Sequence, residues 1–464
     1  MPSQLSKFFL DATCKEYAHP WTDSCINTTA GLGLHALQES LRIYSIVYLV
    51  TLLMRGKIPS KEDVRKTLSG ILQSTAFLSW SAFSYSMFIC FLRRILGRFN
   101  LLTVSFVPSF LSSLTAILIE RPSRRTMLCL YVSNIATETL FRMGEVRGYY
   151  SSIPRGDTYI FALSMALLLY FFRSKAIKQD SMYRILRIIV GKYEEKENST
   201  QSSTLMCSAD TSDVESCKKQ RSVTKRSDEK DIFQKSLAVY KRLIETLKNL
   251  GKHMSCPHPH SCVHYTLTGG VKLFSYGVSA QLALNLVLKM RKLLRTPQLV
   301  KSVIFKKGNL NLAVFLGGFA GIYRLASCSL RRLFQKDSSY YAFPAGFIGG
   351  LAFMFYGSNT IALYFMWKAL QLLWNDLVEK QIVPEVKWFV IVLYCFSTAL
   401  LFHVAIVEPQ NLRPSYWKFL CNISGERIAA MYRPPLDIFG LETSKHLAEV
   451  LRKTNTSNKR DYFF

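Results

Sequence analysis

Acidic residues are scarce in this sequence: 31 Asp and Glu stand against 59 Lys and Arg, a formal net charge of +28 over 464 residues. No acid pair, no glycine-rich phosphate loop and no nucleophile with an adjacent base stands out, so an enzyme is the least favoured class. The excess positive charge comes with no nucleic-acid module, which leaves anionic lipid headgroups or acidic partner surfaces as the chemistry it suits. Residues 1–33 lack the apolar core and small-residue cleavage site of a secretory signal, so targeting is expected to be internal. The cysteines number eleven, an odd count. Four of them, Cys90, Cys129, Cys328 and Cys395, lie in apolar runs and read as small packed hydrophobes, in a reduced, cytosol-facing setting. Sequons at Asn27, Asn198, Asn422 and Asn455 would matter only in a secretory lumen and carry little weight.

Charge is also nearly missing from several long runs, and these are the most informative part of the chain. Ile71 to Leu92, Leu101 to Ile119, Thr126 to Phe141 and Tyr159 to Phe172 form one set; Leu310 to Leu330, Tyr341 to Tyr356, Thr360 to Trp374 and Trp388 to Val407 form another. Runs of about 20 residues cross a hydrocarbon core of roughly 30 Å as helices. The shorter ones need local thinning, snorkelling Lys and Arg, or burial in a bundle. Leu34 to Met54 and Val271 to Met290 precede the two sets but are broken by Gln38, Glu39 and Arg42, and by Lys272, Gln281, Asn285 and Lys289. They read as peripheral helices at the interface or against the bundle.

The two sets share one register. Ser24-Cys25 matches Ser261-Cys262, Met54-Arg55 matches Met290-Arg291, Cys90-Phe-Leu-Arg-Arg matches Cys328-Ser-Leu-Arg-Arg, and Ser181 to Leu186 matches Ser415 to Leu420, at spacings between 233 and 238 residues. A register held through polar landmarks implies tandem duplication. The expected fold is therefore all-α and polytopic, with two tandem-repeated helical halves of about four core transmembrane helices and one peripheral helix each. The divisions are 1–33, a Cys/His-containing segment; 34–190, the first membrane repeat; 191–231, a disordered polar linker; 232–268, a basic amphipathic helix with a Cys/His cluster; 269–424, the second repeat; and 425–464, a C-terminal tail.

Three constellations qualify as candidate sites. Glu138 is the one acid well inside a span, with Asn134 one turn before it and Gln371 as its repeat counterpart; such polar groups suggest proton or solute handling. The structural reading, a pair with Arg142 four residues on, is stronger. Gly317 with Gly321, Gly346 with Gly350, and Ser109 with Ser113 place small residues four apart, the spacing of close helix packing. Cys14, His19 and Cys25, with Asp23 or Glu16 as a fourth ligand, and then Cys256, His258, His260 and Cys262 between His253 and His264, have the residue types of a zinc site. Their spacing matches no standard finger, so the preferred expectation is solvated or locally packed residues and no cofactor, with zinc as the alternative.

Several strings resemble the transmembrane protein 135 family: Glu39-Ser-Leu-Arg-Ile-Tyr44, Leu118-Ile-Glu-Arg121 with Ser123-Arg-Arg125, Ala136-Thr-Glu-Thr-Leu-Phe-Arg-Met-Gly144, and Leu412-Arg-Pro-Ser-Tyr-Trp-Lys-Phe-Leu420. The resemblance runs from about Cys14 to His446 and is weakest in 191–231. It implies a multi-pass protein of mitochondrial and peroxisomal membranes that regulates the balance of mitochondrial fission and fusion and peroxisome organisation, with a link to lipid metabolism. It also implies a relation to the four-helix translocase proteins of the mitochondrial inner membrane. The implied partners are the lipid bilayer, the dynamin-related fission machinery and a lipid ligand, with no nucleic acid; no catalytic residue follows from it. The alternative function is a lipid or small-solute carrier or channel between the repeated halves.

Overall fold

A computed structural model describes residues 9–54, 59–174, 181–194, 239, 241–251, 253–295 and 307–458. The expected linker is described only at 191–194, and the expected basic helix 232–250 only at 239 and 241–250, with 241–249 helical; the rest of both lies outside the described residues. A short strand pair, β1 (Phe9–Leu10) antiparallel to β2 (Phe99–Asn100), accompanies a helical chain. In order the helices are α1 (Cys14–Tyr17), α2 (Cys25–Met54), α3 (Lys61–Leu96), α4 (Phe106–Ile119), α5 (Pro122–Val146), α6 (Gly156–Ser174) and α7 (Ser181–Val190). There follow α8 (Cys262–Arg295), α9 (Asn311–Phe334), α10 (Ala342–Gly350, continued as a 3₁₀ turn over Leu351–Phe355) and α11 (Asn359–Glu379). The last are α12 (Phe389–Val407), α13 (Pro414–Ser424), α14 (Arg427–Ala430) and α15 (Thr443–Thr454).

Local sequence explains where the long helices begin and end. Ser60 caps α3 in a reciprocal box: its hydroxyl accepts from the Asp63 amide at 3.2 Å, and the Asp63 carboxylate accepts from the Ser60 amide at 3.2 Å. Gly97, left-handed at φ 69°, ends the same helix. Thirty-six residues at 1.5 Å per residue make α3 about 54 Å long, so it outruns a hydrocarbon core by several turns. Pro122 and Pro414 open α5 and α13 at the first helical position, where a missing amide hydrogen costs nothing.

Three helices are long and apolar enough to cross a membrane among the described residues: α3, α9 and α12; Phe106–Ile119 and Ser339–Phe355 are shorter apolar helices. Of the eight runs expected to form core spans, those in α5, α6 and α11 are not among the three, and neither are α2 and α8, which contain the two segments read as peripheral.

The chain divides into two compact units, Met1–Ser152 with Gln381–Phe464, and Ile153–Lys380. In the first, α2 packs on α3, α3 on α4, and α12 lies against both α4 and α5. In the second, α8 packs on α9, α9 on α10, and α6 lies against both α10 and α11. The sequence of contacts is the same, but the closing helix differs in origin. The span ending the first sequence half, α6, belongs to the second unit, and the span ending the second half, α12, belongs to the first. The compact units therefore do not follow the boundary between 34–190 and 269–424.

Packing shows what fastens each closing helix. The Phe161 ring of α6 stacks on Phe353 at 4.2 Å and meets Phe315 and Phe365 edge-on at 5.5 and 5.1 Å. Gly346 and Gly350 let α10 approach α6 so closely that a Cβ on Gly350 would stand 2.5 Å from the Ala162 Cα. In the first unit, Leu401 and Ala405 of α12 and Ile117 of α4 are fully buried in a core that also takes in Trp417 of α13.

Candidate metal centres and an apolar cavity

Four side chains from well-separated positions converge in the first unit. Cys14 opens α1, His19 follows it, Cys25 opens α2, and Cys90 sits near the end of α3. Their donor atoms all lie within 4.8 Å of one another. His19 is almost fully buried, with Nε2 3.3 Å from the Cys25 sulfur and Nδ1 2.9 Å from the Thr22 carbonyl oxygen. Since a carbonyl only accepts, Nδ1 carries the proton and Nε2 turns its lone pair toward the thiols. The hydrogen bond with Cys90, then those with His19, hold the Cys14 thiol down at about 5 against the opposing effect of burial. The proposed fourth ligands lie elsewhere: Asp23 pairs with Lys15, and Glu16 completes the α1 cap by accepting from the Thr13 amide at 2.7 Å.

The second unit builds the same arrangement. Cys256 and His258 precede α8, Cys262 opens it, and Cys328 sits near the end of α9; these donors too lie within 4.8 Å of one another. The Cys256 and Cys262 sulfurs are 3.8 Å apart, and His258 Nε2 is 3.4 Å from the Cys328 sulfur. His258 Nδ1 donates to the His260 carbonyl at 2.6 Å, which fixes the tautomer as in the first set. The ring stacks on Tyr265 at 4.6 Å. His260 contributes that carbonyl, while its ring lies edge-on to His264 at 5.2 Å, outside the set. In both units the member that the sequence reading left out is a helix cysteine, Cys90 or Cys328, taken there as a packed hydrophobe. The shared register pairs Cys25 with Cys262 and Cys90 with Cys328, and it was the signal available for adding the two helix cysteines.

Next to the first set lies a cavity of about 560 Å³. Phe77, Leu78, Ala82, Tyr85 and Ile89 of α3 line it together with Leu128 and Val132 of α5, Tyr394 and Phe402 of α12, and Phe419 and Leu420 of α13. Two guanidinium groups, Arg124 and Arg427, stand among these apolar walls. Arg124 is fixed by Tyr48, to whose hydroxyl it donates at 3.0 Å, by Glu120 at 3.5 Å, and by the Tyr44 and Tyr48 ring faces at 5.5 and 5.6 Å. His19 and Cys90 also border the cavity, so the first sulfur–imidazole set forms part of its wall. Its size is that of a small-molecule or single-chain lipid site.

The polar candidates that the sequence places in spans lie in different units, on α5 and α11, neither of which is among the three helices long and apolar enough to cross a membrane. Glu138 is buried and held by Arg142 at 2.6 Å and by Arg413. Two cations on one carboxylate compensate the buried acid and make a strut between α5 and the start of α13, and Asn134 is buried one turn away. Gln371 belongs to the second unit and accepts from Lys368 at 3.1 Å. Among the small residues, Gly317 meets Phe274 and Gly270 of α8, and Gly346 meets Ala166 of α6, whereas a Cβ on Gly321 would enter open space. Ser109 and Ser113 are buried on α4, and it is their neighbour Ser112 that bonds Ser84 of α3, at 2.9 Å.

The helical units and their apolar spans define an all-α membrane protein. Residues 11–145 match the N-terminal cysteine-rich region of transmembrane protein 135. The match covers α1 to α5 and with them Cys14, His19, Cys25 and Cys90. No solved structure matches the chain.

Proposed function

We propose that this chain is a non-enzymatic, multi-pass membrane protein that takes an amphipathic lipid into the cavity of its first unit, and that it acts in this way on mitochondrial fission and fusion balance and on peroxisome organisation. The observation that carries the lipid reading is the cavity itself: about 560 Å³, walled by aromatic and aliphatic side chains, with Arg124 and Arg427 as cationic partners for an anionic head. Burying one methylene in such a wall is worth about 0.8 kcal/mol, so an acyl chain gains affinity carbon by carbon while the arginines orient its head. The organelle setting, mitochondrial and peroxisomal membranes, and a link to the dynamin-related fission machinery rest on the family resemblance. The net charge of +28 suits an acidic partner or an anionic bilayer surface.

The test uses the full chain purified in detergent. Organic extraction followed by mass spectrometry should recover a stoichiometric amphipathic lipid, and a fluorescent fatty acid should bind and be displaced by it. Absence of both overturns the lipid reading. In cells, deletion should change mitochondrial length or peroxisome number. If neither changes while reconstituted vesicles containing the protein move a fatty acid between leaflets, the alternative of a carrier replaces the regulator.

A further inference from the structure

We infer that each unit holds one structural zinc ion in a closed Cys₃His site, the first bound by Cys14, His19, Cys25 and Cys90 and the second by Cys256, His258, Cys262 and Cys328. Zinc takes thiolate sulfur at about 2.3 Å and imidazole nitrogen at about 2.0–2.1 Å, so a tetrahedron places two sulfurs about 3.8 Å apart and a sulfur and a nitrogen about 3.6 Å apart. The distances found are 3.8 Å between Cys256 and Cys262, 3.3 Å from Cys25 to His19 and 3.4 Å from Cys328 to His258. Each separation is that of neighbours sharing one ion.

Three further observations point the same way. Both histidines present Nε2 to the sulfurs because Nδ1 is tied to a backbone carbonyl, the outer contact that orients a metal-bound imidazole. All the cysteines involved are free thiols, so no disulfide competes for them. The arrangement also occurs twice, in the same order: two donors in the chain ahead of a long helix, the first residue of that helix, and a position near the end of its packing partner. Chance clustering of thiols does not repeat the same three-to-one ratio and the same histidine tautomer.

The donor set decides the metal and the role. Three thiolates with one imidazole in a tetrahedron suit zinc, whereas calcium and magnesium require oxygen. Four protein ligands leave no open position, which makes the ion a staple and not a Lewis acid for bound substrate. It joins the chain ahead of α2 to α3 in one unit, and the chain ahead of α8 to α9 in the other.

Elemental analysis of the full-length protein, purified in detergent without chelator, should give two zinc ions per chain. Cys90→Ser and Cys328→Ser should each leave one, and the double variant none, while Cys129→Ser, outside both sets, should keep two. In the single variants, the ion retained in the other unit reports that the protein has folded. Cobalt exchanged into the wild-type protein provides a measurement that needs no variant: tetrahedral thiolate coordination gives intense visible ligand-field bands and sulfur-to-cobalt charge transfer. Fewer than two zinc ions with no such cobalt spectrum, iron or copper in place of zinc, or a disulfide between members of either set would overturn the inference.

Discussion

Arg331 donates from both terminal nitrogens to the two carboxylate oxygens of Glu194, at 2.8 and 2.5 Å, and neither side chain reaches solvent. The pair joins the C-terminal part of α9 to the short turn Lys192–Glu194 that follows α7. Arg173 stands 3.5 Å from Glu194, and Asp337 accepts from Arg331 at 2.9 Å and from Arg173 at 2.6 Å, so two acids and two arginines close a ring of charge. Removing one member leaves its partner charged and out of water. Arg331→Met should therefore cost about 3–5 kcal/mol of stability, while Arg331→Met with Glu194→Leu, which removes both charges, should cost clearly less. Thermal unfolding of the detergent-purified variants checks this: equal losses in the single and double variants would contradict it.

The same ring gives the second unit an acid-sensitive element. Burial opposes ionisation of Asp337, but hydrogen bonds and charge from Arg173 and Arg331 prevail and hold its carboxyl below the ordinary value. An unfolded aspartate titrates at about 3.9, so in the folded chain Asp337 contributes stability above that pH and loses the contribution as pH falls through its lower folded value. Melting temperatures measured from pH 7 down to pH 3 should fall less steeply for Asp337→Asn than for the wild type, from a lower starting point at pH 7. Parallel curves would show that the carboxylate contributes nothing to the acid response.

Gly350 and Gly318 separate close packing from helix propensity. Alanine at Gly318 would meet its nearest neighbour, Ala352, at 3.6 Å, an ordinary contact, and should gain up to about 1 kcal/mol from helix propensity. Alanine at Gly350 would put Cβ 2.5 Å from the backbone of α6, forcing the two helices apart. Gly350→Ala should therefore lower the unfolding midpoint while Gly318→Ala raises or preserves it. A stabilised Gly350→Ala would remove the close approach of α10 and α6 from the packing account.

Hydropathy made several of the helices legible, because the length of an apolar run is a local property of the chain. Which unit α6 and α12 join was not legible: both are largely apolar, and an apolar run does not say which neighbours it covers. That Cys90 and Cys328 join the other thiols was hidden for a related reason. Each sits in an apolar run, where free cysteine is normally a small hydrophobe, and the other members of its set lie far away in sequence. Glu194 was hidden in a stretch whose composition reads as linker, and only the fold brings it to Arg331. The cavity has no sequence signature, since residues from α2, α3, α5, α12 and α13 surround it.

Filling that cavity should cost ligand affinity without disturbing the helices. Ala82 of α3 is on the wall, and Ala82→Trp would occupy space that a lipid chain otherwise fills, displacing several methylenes worth about 0.8 kcal/mol each. Binding of a fluorescent fatty acid should weaken at least tenfold, with the circular dichroism spectrum unchanged. Undiminished binding by a folded Ala82→Trp protein would place the lipid elsewhere.

Cys90 and Cys328 occupy corresponding positions in the two thiol–imidazole sets, yet only Cys90, with His19, also borders the cavity. If zinc holds His19 and Cys90 in place, its loss from the first unit removes part of the cavity wall, whereas its loss from the second leaves the wall intact. Cys90→Ser should therefore weaken fatty-acid binding several-fold, and Cys328→Ser should leave it within twofold of the wild type, although each variant loses one ion. His19→Ala gives an independent check, since it removes an imidazole ligand and spares all three thiols of the set. The measurement is a pair of numbers for each variant, zinc per chain and fatty-acid dissociation constant. Equal weakening in Cys90→Ser and Cys328→Ser would show that the metal acts on overall stability and not on the cavity wall.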